Sequence, residues 1–445
     1  MNDGVTSLFD GTFARGGAAA AVSDQAWFRA LLAVEAALAR SAAGVGLVPT
    51  TAADAVTRAC AEPAGLDLAR VVATAADAGN PVPPLVRALQ DAVGERDAVA
   101  VHVGATSQDV LDTALMLLAR DAVTAVDTDL AWAAEAAARL AAAHRDDLVM
   151  GRTLLQQALP TTFGLKAAGW LTGLDGARLR LAEVVATLPV QYGGAAGTLA
   201  ASGGSGVVVR TALAAELGLA DTAAPWHTVR LPIADLAGAL ATAAGVIATV
   251  AVDVVLMAQT EVGEVSESGD ARGGSSAMPH KRNPVAAISA RACARRAPGL
   301  AATLFAAMEQ EHERAAGAWH SEWPTLTALL TTVGSAAAWL AESLSGLRVD
   351  SSRMAGTVAA AGEPLLAQAL TEALAPRGPQ AAHEEAAAAV RAARETGRPL
   401  AEVLAERGDV DVEALLAAAG PDPGEAGAQV EAVLADHHRL TEGNE

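Results

Sequence analysis

The chain has 445 residues, enough for two or three domains around a sizeable core. Its formal net charge of −20 argues against a nucleic-acid or anionic-membrane surface, which needs Lys and Arg clustered over an extended face. Hydrophobic residues make up 52% but aromatic residues only 3%, so the core must be packed mainly from Ala, Leu and Val, small side chains that let helices approach closely.

Helical periodicity runs through most of the sequence and alternation of period two is nearly absent, so the expected class is all-α. Asp24-Gln25-Ala26-Trp27 opens a helix that runs toward Val45, where Gly46 stops it. Cys60 and Cys293 are too few for a disulfide framework, and both sit in Ala-rich sequence as structural thiols. No signal peptide follows the acidic start Met1-Asn2-Asp3-Gly4, and a reducing cytoplasm is the expected compartment. Gly79-Asn80-Pro81 and Pro83-Pro84 break the next helical region, and a long helix begins near Ser107 with Asp109 in its first turn. Further helices are expected over 161–187, 207–218, 233–259 and 285–308, separated by glycine-bearing loops at 193–205 and 263–276, which suggests a long central helix bundle. Two uncharged stretches, 236–252 and 323–340, are rich in Ala, Gly and Thr and read as buried core helices rather than membrane spans. Boundaries near 112 and 346 give an N-terminal helical domain 1–112, a central bundle 113–346 and a C-terminal helical domain 347–445. In the last, Pro-Arg-Gly-Pro at 376–379 and Pro-Asp-Pro-Gly at 421–424 punctuate shorter helices.

Residues 273–284 read Gly-Gly-Ser-Ser-Ala-Met-Pro-His-Lys-Arg-Asn-Pro. The glycines allow backbone conformations that carry successive N–H groups toward a ligand. Ser275 and Ser276 sit where an anion would lie, and Arg272, Lys281 and Arg282 concentrate positive charge on an otherwise acidic chain. A small anionic substrate is the natural reading. Ser275 could move a proton and Lys281, with the loop amides, could stabilise its alkoxide.

This run resembles the Gly-Ser-Ser-x-Met-Pro-x-Lys-x-Asn signature of the fumarase/aspartase superfamily. Its longer form, with Gln-Glu-His-Glu-Arg at 310–314 and Trp-His-Ser-Glu-Trp at 319–323, is similar to the 3-carboxy-cis,cis-muconate cycloisomerase branch. Matches continue at Leu-Phe-Asp (8–10), Ala-Gly-Asn-Pro (78–81), His-Val-Gly-Ala-Thr-Ser-Gln-Asp (102–109), Gly-Arg-Thr (151–153) and Pro-Trp-His-Thr (225–228), and end near 325. The resemblance implies three helical domains and a homotetramer whose sites draw on different subunits. It also implies a di- or tricarboxylate substrate, Ser275 as catalytic base, and Lys281 and Asn283 at the substrate. Ser276 and Met278 of the signature, His102, Thr106 and Ser107, and Arg152, Thr153 and Gln157 join them as substrate-binding candidates. His227 and Arg314 are further candidates that an ion pair or a helix cap would explain equally well. Thr106 and Ser107 also precede a helix, where hydroxyls and free N–H groups bind anions, although N-capping alone accounts for a Ser there.

One departure from the superfamily pattern is informative. Relatives that expel an amine or water carry Arg-Thr-His, the histidine acting as general acid, where this chain has Arg152-Thr153-Leu154. A carboxylate leaving group, with a pKa of about 4, departs at neutral pH without a proton. The substitution therefore fits lactone formation and its reverse, and also expulsion of another stable anion such as nitrite from a nitrosuccinate. Gly193-Gly194-Ala195-Ala196-Gly197 follows no βαβ pattern, no Walker sequence is present, and His312 and His320 lack zinc-site spacing. Neither a metal nor an organic cofactor is expected. A non-catalytic structural protein places no demand on Ser275, Lys281 and Asn283 together.

Overall fold

The computed structural model describes residues 7–267, 273–274, 278 and 281–442, apart from the side chain of Pro364. Helix dominates it. The longest are Ser107–Ala143, Phe163–Val185, Leu231–Met257 and Ala318–Ser345. Local chemistry sets several helix ends. Ser23 caps Asp24–Gly44 by accepting the Ala26 N–H at 3.3 Å, and Asp67 caps Leu68–Ala78 by accepting the Arg70 N–H at 2.9 Å. The core is largely Ala, Leu and Val, and in Ser107–Ala143 the residues Ala114, Ala119, Ala122, Ala133, Ala134, Ala137 and Ala141 are all at 0% exposure.

Two expectations fail locally. The helix expected over 285–308 is two helices, Val285–Ala294 and Ala297–Ala306. Pro298 stands in the first turn of the second, where its missing N–H costs nothing; within one continuous helix it would remove a hydrogen bond and clash with the preceding turn. Strand pairing, unexpected from the sequence, joins Leu148–Thr153 antiparallel to Gln156–Thr162, and Val265–Glu267 to Leu347–Val349.

By contact the chain forms two compact units. One comprises Met1–Ala133, Gly176–Val252 and Ala286–Glu342; the other comprises Ala134–Asp175, Asp253–Val285 and Ser343–Glu445. Four of these divisions fall inside the four longest helices. Leu231–Met257 and Ala318–Ser345 are, by length and composition, apolar enough to cross a membrane. Their most apolar windows are 44% and 67% buried. The exposed positions of the first are Leu231, Asp235, Thr242, Gly245 and Thr249, and the Thr242 and Thr249 hydroxyls donate to the carbonyls of Gly238 and Gly245.

Candidate active site

In the first unit the candidate residues gather around the start of Ser107–Ala143, a helix buried without interruption from Gln108 to Ala119. Asp109, 2% exposed, organises this end. Its Oδ2 reaches back to the Thr106 N–H at 2.9 Å, a capping contact from the third helical position, and also accepts the Gly194 N–H at 2.9 Å. Its Oδ1 accepts the Gly193 N–H at 3.0 Å and lies 2.7 Å from His227 Nε2. One buried carboxylate thus binds two loop amides, a helix cap and a histidine. Thr106 and Ser107 stand partly exposed beside it.

Arg314 is committed to the protein. Its Nη2 donates to the carbonyls of Gly194 and Ala195 at 3.2 and 2.9 Å, and its Nη1 to Gln108 Oε1 at 3.1 Å. Gln108 Nε2 in turn donates to Asp112 Oδ2 and to the His227 carbonyl.

His102 has φ +58°, a left-handed conformation unusual for a side chain with a Cβ. Glu35, at 0% exposure, holds it there by accepting both the backbone N–H at 2.9 Å and ring Nδ1 at 2.7 Å. Burial alone would lower the His102 pKa. The hydrogen bond and charge of Glu35, with Asp109 behind it, outweigh burial and raise it above the ordinary histidine value. Its Nε2 has no hydrogen-bond partner among the described residues. Gly104, at φ +65°, has no room for a side chain: a Cβ would lie 2.7 Å from the Tyr192 hydroxyl, which itself donates to the Val103 carbonyl.

A dry ionic cluster lies one turn further along. Arg230 bridges Asp112, at 2.7 and 3.1 Å, and Glu322, at 3.0 and 2.5 Å, with all three side chains at 0% exposure. Trp319 Nε1 and Gln191 Nε2 add donors to Asp112, and Gln310 Nε2 adds one to Glu322. Burial raises the Glu322 pKa more than Arg230 lowers it, as expected for two carboxylates sharing one cation.

In the second unit, Arg152 donates to both oxygens of Glu264, at 2.9 and 2.7 Å, with Glu264 fully buried. Arg152 pairs with Gln157 and Thr153 with Gln156 across a hairpin whose two-residue turn is Leu154-Leu155. Arg152, Leu155, Gln156 and Gln157 line a cavity of about 620 Å³ together with Glu261, Val262, Thr357 and Arg394. The signature loop is tied at its ends: the Asn283 backbone N–H and Nδ2 both donate to the Gly273 carbonyl at 2.9 Å. A Cβ at Gly273, whose φ is +74°, would lie 2.2 Å from the Asn283 carbonyl oxygen, so only glycine fits. Lys281 is exposed, its N–H on the Met278 carbonyl, and Met278 is 42% exposed. Ser275, Ser276 and Arg272 lie outside the described residues.

The candidates therefore fall into two groups. His102, Thr106, Ser107, His227 and Arg314 belong to the first unit, and Arg152, Thr153, Gln157, Met278, Lys281 and Asn283 to the second. The sequence reading missed Glu35, Asp112, Arg230 and Glu264 as their supports. Among the described residues no group of three His, Cys, Asp or Glu side chains is arranged to hold a metal ion.

A lyase family model matches residues 16–299. The chain belongs to this lyase family. It is 48% identical over 392 residues to the 3-carboxy-cis,cis-muconate cycloisomerase of Bradyrhizobium diazoefficiens, covering 87% of each chain. It is 45% identical over 404 residues to the nitrosuccinate lyase of Streptomyces davaonensis, covering 88% of this chain and 85% of that one. Among solved structures it resembles 3-carboxy-cis,cis-muconate lactonizing enzyme from Pseudomonas putida, with a TM-score of 0.87, 38% identity and coverage of 98% and 100%. The all-α expectation holds for this lyase, whose two short two-stranded sheets leave the class unchanged.

Proposed function

We propose that this lyase-family protein is a 3-carboxy-cis,cis-muconate cycloisomerase. The observation that carries the reading is the Arg152–Gln157 hairpin, where the position of a general acid to the leaving group is taken by Leu154, 96% exposed and without a titratable atom. One substrate carboxylate adds its oxygen to a double bond of the same molecule. The electron pair moves to the carbon beside a second carboxylate, and that carbon takes a proton. In the reverse direction the proton leaves and the ring C–O bond breaks, releasing a carboxylate that needs no acid. Ser275 is proposed to carry the proton and Lys281 to stabilise its alkoxide. His102, Thr106, Ser107, Arg152, Thr153, Gln157, Ser276, Met278 and Asn283 are the proposed substrate contacts. His227 and Arg314 support them.

The second reading is anion elimination from nitrosuccinate, favoured by the Streptomyces davaonensis relative and equally free of any need for an acid at Leu154. The deciding assay incubates purified protein with 3-carboxymuconate, following loss of the conjugated diene absorbance, and with nitrosuccinate, following nitrite. Diene loss without nitrite release supports the first reading, and the opposite outcome replaces it by the second. A cytoplasmic homotetramer is proposed as the working form, with domains divided near 112 and 346. The support for assembly is the Leu231–Met257 helix, whose most apolar window is only 44% buried in the single chain. Light scattering should give a mass near four times 44.6 kDa.

A further inference from the structure

The start of the loop 193–199 is fastened by Asp109, Leu199 and Arg314. Gly193 and Gly194 give their N–H groups to Asp109, Leu199 closes back on the Gly193 carbonyl at 3.0 Å, and Arg314 Nη2 donates to the carbonyls of Gly194 and Ala195. Those two carbonyls belong to the peptide groups whose opposite ends are the N–H groups of Ala195 and Ala196. Neither of these N–H groups, nor that of Thr198, has an acceptor among the described residues, and all three residues are exposed. Ala195 and Ala196 form a turn and Gly197 follows at φ +77°, a succession that brings neighbouring N–H groups to one side as an anion-binding concavity. A cation on the carbonyl end of a peptide polarises it, so its N–H becomes a stronger donor.

We infer that Arg314 acts through these two peptide groups, and that the N–H groups of Ala195, Ala196 and Thr198 form a cradle for one carboxylate of a di- or tricarboxylate ligand. The inference rests on reading the protein as an enzyme of carboxylate substrates. Arg314 and Asp109 are positioning residues here: the guanidinium holds the carbonyls, the carboxylate holds the preceding amides, and Gln108 ties Arg314 to the buried Asp112. A guanidinium already donating to two carbonyls and one amide oxygen is not offering a free fork to the substrate. Its charge reaches the ligand through the backbone.

The test is hydrogen–deuterium exchange on the full-length protein with propane-1,2,3-tricarboxylate as an unreactive probe. Saturating probe should slow exchange in a peptide covering 194–199. Arg314→Gln should abolish that protection and weaken the probe about tenfold, the size of one hydrogen bond to a charged group. Ala195→Pro removes one cradle donor without touching Arg314, at a turn position that accepts proline, and should also weaken the probe. Wild-type protein lacking protection at 194–199 overturns the cradle, as does unchanged probe affinity in either folded variant. The turnover assays separate this from the reaction: protection without turnover of either substrate removes the proposed activity and leaves the cradle, whereas turnover without protection removes the cradle alone.

Discussion

The start of Ser107–Ala143 and the tip of the 148–162 hairpin are built on opposite rules. At the first, four carboxylates (Glu35, Asp109, Asp112 and Glu322) are buried, and each is met by donors. At the second, two leucines take left-handed backbone, φ +50° and +65°, and stand 96% and 73% exposed. Burying charge is tolerated in one place and exposing apolar strain in the other. The first is a frame in which each group fixes another. The second leaves apolar side chains largely in solvent, and strain of this kind persists where function uses it.

Breaking the frame should give the largest effect. Arg230→Met leaves Asp112 and Glu322 facing each other in a dry site without their shared cation. The expected loss is about 3–5 kcal/mol, the usual result of removing one partner of a buried ion pair. Urea unfolding measures it. Adding Asp112→Asn and Glu322→Gln to Arg230→Met should restore much of the loss, because no uncompensated charge then remains. A single variant as stable as wild type would show that water reaches the cluster.

The signature loop tests whether chemistry is separable from that frame. Ser275→Ala should lower turnover by at least about a hundredfold, the lower end for losing a general acid–base group, with the unfolding midpoint unchanged. More than a tenth of wild-type activity would move the base elsewhere, with Ser276 and His102 the next candidates.

How much of this was legible in the sequence follows the same contrast. The long helices were visible because 3.6-residue periodicity and end signals such as Asp24 and Gly46 are local. The hairpin was not, because its turn holds Leu154-Leu155 instead of the Asn-Gly that normally marks a two-residue connection. In the sequence Asp109 reads only as a first-turn acid. That it binds Gly193, Gly194 and His227 depends on residues 84 to 118 positions away, which no local pattern carries. Glu35 gave one faint sign, a carboxylate within an Ala- and Leu-rich helical face. Thr357 and Arg394 gave none, since nothing in 347–445 marks them as neighbours of Arg152 and Gln157.

The hairpin tip can be relieved of its strain directly. Leu154→Asn with Leu155→Gly installs residues that accept left-handed backbone, at a saving of about 1–2 kcal/mol for each. The unfolding midpoint should rise. Diene consumption should fall, if the leucines serve to keep water from the reacting carboxylate. A variant both more stable and fully active would make the strained tip incidental.

The smallest effect is expected at His102, where frame and site meet. Its pKa is raised in the folded protein, so the His102–Glu35 pair contributes stability that is fully present below the unfolded histidine value of about 6.5 and is lost as pH rises through the higher folded value. Glu35→Gln keeps one oxygen, enough to accept either the His102 backbone N–H or its ring proton, and removes the charge. The variant should therefore be destabilised most near pH 6 and progressively less toward pH 9, as the histidine it no longer stabilises becomes neutral in both proteins. Thermal unfolding of the two proteins across that range gives the difference. A gap that stays constant with pH would show that Glu35 holds His102 through hydrogen bonds alone, making the left-handed backbone at φ +58° the part of this contact that the site requires.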